Sequence, residues 1–151
     1  MRRAILVMAL ASLFTLTGAA MAAEVHDCDG AENPGNIVEP WDQNTRTFYK
    51  GEVRVALIDT GGEPACCSAQ LLVLAPDPTD ETGDRSCHLI TNKGGVGFGD
   101  IVFAKLTATY NPKTGLLIAF PYSHTGLDGK PDATGTAHVR VNVGTGKVSA
   151  Q

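Results

Sequence analysis

Four cysteines, Cys28, Cys66, Cys67 and Cys87, are the residues of this chain best equipped for chemistry. Their even number, behind an amino terminus of the export type, makes a disulfide framework the expectation. Of the three pairings, the one joining Cys66 to Cys67 is the least favoured, because neighbours bridge only by distorting the peptide between them. The expected framework therefore joins Cys28 to one vicinal cysteine and Cys87 to the other. Which goes with which stays open.

Four histidines, His26, His88, His124 and His138, could ligate a metal, but no two stand two or four residues apart within one element. His26, with Asp27 and Asp29 beside it, is the one place where donors for a divalent ion gather. Oxidised cysteines could not join them. The acidic stretch Asp77, Asp80, Glu81 and Asp84 offers hard oxygens, yet its spacing misses the calcium-loop pattern and it reads as a solvated loop. No metal or cofactor is expected.

Gly94, Gly95, Gly97 and Gly99 suggest a phosphate-holding loop, but Asp100 stands where a third dinucleotide-loop glycine should, and no helix follows. Residues 144–147 fail as a nucleotide loop too, since Val141 replaces its first glycine and Val148 its Ser or Thr. Both segments read as turns. No serine or cysteine nucleophile motif occurs, so no catalytic residue is assigned. Ser123 and His124 are adjacent, and neighbours on a strand face opposite sides.

What remains is a binding surface. Trp41 is the only tryptophan and follows Glu39 and Pro40, while residues 122–135 read as a long polar loop carrying Tyr122, His124, Asp128 and Asp132. Trp41, Tyr122, His124 and Asp128 are the candidate binding residues, as aromatics and polar groups on loops above a rigid β scaffold. The competing reading places Trp41 in the core as a plug.

These residues must be positioned by short strands. Arg2 and Arg3, an apolar run over 4–16 and small residues around Ala20 and Ala22 read as a secretory signal over 1–22. The run falls short of the roughly 20 residues a membrane-spanning helix needs, so no membrane insertion is expected. Residues 23–151 are one domain, large enough to bury about two thirds of its unfolded surface. Loss of the two arginines takes the formal charge from −4 to −6, which argues against nucleic acid or an anionic surface as partner.

Within that domain, Val53, Val55 and Leu57 alternate with Glu52, Arg54 and Ala56, as in a half-buried strand. Residues 70–75 form a continuous apolar run, and 87–91 a further strand. Residues 102–110 alternate as a nine-residue strand, residues 111–115 read as a tight turn, and 116–122 return as its hairpin partner. Residues 137–143 alternate again before a turn at 144–146. The expected fold is an all-β antiparallel sandwich of about seven or eight short strands, with a small barrel as the alternative.

Glu39-Pro40-Trp41, the turn at 111–115 and the glycine segment each resemble a loop of the chagasin-like cysteine-protease inhibitors. Their order along the chain differs from that family, which excludes homology. The segment from Glu39 to Phe48 and the run Leu71-Leu72-Val73-Leu74 resemble small exported bacterial proteins, a resemblance to which no function attaches. The expectation is a periplasmic or secreted binding or accessory module with a protein or small-molecule partner. A structural or stress-related envelope protein ranks second and a hydrolase third.

Overall fold

The computed structural model describes residues 23–62, 66–126 and 130–151, with Asp132 as backbone alone. The signal segment, its cleavage point and Asp128 lie outside the described residues. Ten strands are described: β1 (Glu24–Asp27), β2 (Thr45–Phe48), β3 (Val53–Asp59), β4 (Ala69–Pro76), β5 (Arg85–Thr91), β6 (Asp100–Ile101), β7 (Thr107–Asn111), β8 (Gly115–Thr125), β9 (Pro131–Val141) and β10 (Val148–Ala150). One sheet has the order β1-β5-β4-β3-β2. The other runs β10-β9-β8-β6, with β7 also paired to β8, and every pairing is antiparallel. The two sheets stack as an open sandwich, as the alternating strands predict.

The period of two sets the core. Val53, Val55 and Leu57 of β3 and Leu71, Val73 and Ala75 of β4 face Leu116, Ile118 and Phe120 of β8 and Val139 and Val141 of β9, all buried. Phe98 is fully buried at the centre, edge-on to Phe120 at 5.7 Å and tilted against Tyr122 at 4.7 Å between ring centroids.

Phe98 also explains the glycine segment. Its backbone pairs with Ala69 of β4 while Gly99 N–H donates to the Ser123 carbonyl of β8, so residues 97–99 carry the chain from one sheet to the other. A Cβ on Gly97 would run into the Cys67 carbonyl oxygen, and one on Gly99 into the Thr125 hydroxyl. Only the first part of the segment is the expected turn. Gly94 and Gly95 have positive φ and point their amides at the Glu24 carboxylate, at 2.9 and 3.2 Å.

Three expectations are corrected. Residues 102–110 are not one strand: residues 103–105 form a 3-10 turn that buries Phe103, and β7 begins at Thr107. Residues 122–135 are not a long loop, because β8 and β9 run on to Thr125 and from Pro131. The disulfides are Cys28–Cys87 and Cys66–Cys67, not bridges from Cys28 and Cys87 to the vicinal pair. The β1–β5 register pairs Asp27 with His88, which sets Cys28 against Cys87 with Cα atoms 5.5 Å apart. On the chain-entropy model, this 59-residue separation makes the cross-link worth about 4 kcal/mol, whereas a link between neighbours contributes only about 1 kcal/mol.

The outer faces of the two sheets differ. On β9, Thr134, Thr136 and His138 face water. On the first sheet, Ala56, Ile58, Leu72 and Leu89 form a second apolar cluster, covered by Cys28, Ala31 and Ile37 of the segment that follows β1. That segment is a strap over residues 28–38. Cys28 holds it to β5, and at its far end the Val38 amide donates to the Leu57 carbonyl while Ile37 bridges Ile58 of β3. Burial on both faces is why 71–75 reads as an unbroken apolar run. Tyr49 and Tyr110 meet across the open edge, with ring centroids 4.9 Å apart.

Candidate functional site

The strap crosses the outer face obliquely, from Cys87 to Ile58, and leaves two corners open. One corner, toward β2, is a cavity of about 340 Å³ with an apolar floor of Ala56, Leu72 and Leu74. Its walls are Ile37 of the strap, Thr45 and Thr47 of β2, and Arg54 of β3. The local reason is plain: on β2 and β3 the residues opposite Thr45 and Thr47 are Ala56 and Arg54, so a small residue and a long cation share one face. A volume of this size lies in the range of small-molecule pockets.

Two charged residues line this cavity, Arg46 and Arg54. Arg54 is exposed, and among the described residues no carboxylate pairs with it; Glu52, two residues earlier, lies 3.9 Å from Arg85 instead. Arg46 is already engaged: its guanidinium donates to the Gln43 and Thr45 carbonyls and sits 5.2 Å from the centroid of the Phe103 ring. The result is an apolar hollow lined by two cations, of which Arg54 has no carboxylate partner among the described residues, on a chain whose net charge is negative. Such a site can seat an apolar body and hydrogen-bond an anionic head.

The other corner, of about 370 Å³, is polar and is bordered by His26, Asp29, Gln70, Leu89 and Thr91. His26 Nε2 lies 3.5 Å from the same Glu24 oxygen that the glycine amides hold. Asp27 turns to His88 at 3.4 Å, and Asp29 accepts from the Ala31 amide. Among the described residues, no three His, Cys, Asp or Glu side chains converge as metal ligands.

Among the described residues, Trp41 lies apart from Tyr122 and His124, which share β8. Trp41 is 49% exposed at the head of a four-residue helix, α1 (Trp41–Asn44), so it is no core plug. Its carbonyl accepts from the Thr45 hydroxyl, which places it one turn before a wall of the apolar cavity. Tyr122 faces the other way. It is 5% exposed in the core, with its ring over Gly135, and burial pushes its phenol above the ordinary value. His124 stands near the end of β8 in the second sheet, and Asp128 lies outside the described residues. Arg54 was missed because alternation alone assigns it to a solvent face. The signal lay in the partner strand, where Leu72 and Leu74 show that this face is apolar.

The acidic loop is committed to its own turns. Asp77 accepts from the Thr79 hydroxyl and amide, and Asp80 from those of Thr82, which holds both carboxyls below their ordinary value of 3.8. A carboxyl with a lowered folded pKa adds stability above its unfolded pKa and loses it as pH falls through the folded value. The D77N/D80N double variant should therefore lose less stability than the parent as pH drops from about 4, checked by urea melts across that range.

Among the described residues, no helix is long and apolar enough to cross a membrane. No family model, curated protein or solved structure matches this chain.

Proposed function

We propose that this chain is an exported ligand-binding module whose site is the apolar cavity between the strap and β2. The ligand is a small amphipathic anion, with its apolar body on Ala56, Leu72 and Leu74 and its anionic head on Arg54. The observation that carries the reading is Arg54 at the rim of an apolar hollow, without a carboxylate partner among the described residues, in an acidic protein. Export is supported by the signal-like segment at 1–22 and by two disulfides, which persist in oxidising compartments.

Octanoate is a suitable probe, with octanol as its uncharged counterpart. Isothermal titration calorimetry reads binding of either probe directly. The parent protein should bind octanoate more tightly than octanol. Arg54→Gln should weaken octanoate by about tenfold, the loss of one charged hydrogen bond of roughly 1.4 kcal/mol, while leaving octanol unchanged. Equal affinity of parent and variant for octanoate would contradict the assignment of Arg54. Absence of binding by either probe would favour the structural envelope reading.

A further inference from the structure

The two disulfides differ in what they do for the fold. Cys28–Cys87 ties the strap to β5, while Cys66–Cys67 closes a ring within the connection between β3 and β4 and joins no separate elements. Opening the second link frees almost no chain, because its residues are already neighbours. The two residues are also unequal in access: Cys67 is 2% exposed, whereas Cys66 is partly exposed.

The surroundings hold Cys67 on its backbone. Its carbonyl oxygen lies against Gly97, and Ala69, two residues on, is paired in both directions with Phe98. The Thr60 amide donates to the Ser68 carbonyl at 3.3 Å and closes the base of the connection. These contacts anchor the chain on the strand side of the pair without using either sulfur. The segment around Cys67 is thus held by contacts other than the disulfide itself.

We propose that Cys66–Cys67 is a thiol-exchange site that accepts two electrons from an external dithiol, with Cys66 as the sulfur attacked. A thiolate of the donor bonds to Cys66 Sγ, the Cys66–Cys67 bond breaks, and its electron pair leaves on Cys67 Sγ, which takes up a proton. The donor's second thiolate then attacks its own sulfur in the mixed disulfide. The donor departs as a disulfide and Cys66 as a thiol, so one dithiol is oxidised and one protein disulfide is reduced. Cys28–Cys87 stays closed, because β1 and β5 hold its sulfurs together. The site is independent of the cavity beside Arg54.

The folded, oxidised protein, titrated with dithiothreitol and then alkylated and digested, gives the order of opening by mass spectrometry. Cys66 and Cys67 should take label at about one tenth of the dithiol concentration that labels Cys28 and Cys87, with the β-sheet circular dichroism unchanged. Single variants test the direction of attack. With an aromatic disulfide dye, the Cys66 thiol left in Cys67→Ser should react at least about tenfold faster than the Cys67 thiol left in Cys66→Ser. Opening of Cys28–Cys87 first, opening of the vicinal pair only on unfolding, or equal rates in the two variants would overturn the proposal.

Discussion

Replacing Cys28 and Cys87 together with alanine should lower the stability of the domain by about 4 kcal/mol and its melting temperature by about 15 °C. The link spans 59 residues and is the disulfide that ties the strap to β5 of the sheet it covers. Beneath the strap lie Ala56, Ile58, Leu72 and Leu89, which lose their cover wherever it lifts. At its far end the strap keeps the Val38 to Leu57 hydrogen bond and the Ile37 bridge to Ile58. The variant should therefore fold, with a lower midpoint in urea and increased dye binding on the outer face. A loss below about 1 kcal/mol would mean that the strap is held by its apolar contacts alone.

The second large effect comes from a single methyl group. Gly97→Ala would place its Cβ against the Cys67 carbonyl oxygen and 2.6 Å from that of Ala69, both backbone atoms. The Ala69 carbonyl cannot move without breaking its pair with Phe98, and Phe98 is the ring around which the core closes. A cost of about 3 kcal/mol is expected, at the upper end for overpacking. Gly94→Ala is the control: nothing lies within 4 Å of its Cβ, and its positive φ of 82° costs only about 1 kcal/mol. Denaturant midpoints for the two variants, measured side by side, give the comparison. Similar losses would show that the segment around Cys67 and Ala69 gives way to the added methyl group.

The sandwich was legible because β3, β4, β8 and β9 alternate or run apolar, and burial follows that pattern directly. The long hairpin through residues 122–135 was hidden by its outer face, where Thr134 and Thr136 meet water as loop residues would. Its inner face gives it away only in pairs, since Gly135 makes room for the Tyr122 ring across the ladder. The disulfide pairing failed for a related reason. Cys28 meets Cys87 only because Glu24–Asp27 pairs with β5, and a four-residue polar strand has no periodicity of its own. The local sequence shows the peptide distortion of a vicinal bridge, whereas the Cys28–Cys87 contact depends on tertiary register. The site shows the same limit: Ala56, Leu72, Leu74 and Arg54 come from two strands, and Ile37 closes over them only after the strap has crossed the sheet.

A small amphipathic anion entering between the strap and β2 should be visible by amide and methyl chemical-shift mapping during an octanoate titration. Saturable shifts should concentrate at Ile37, Thr45, Thr47, Arg54, Ala56, Leu72 and Leu74, with Arg54→Gln moving the titration to about tenfold higher concentration. Shifts centred instead on His26, Gln70 and Thr91 of the polar corner, or spread over both sheets without saturation, would contradict it.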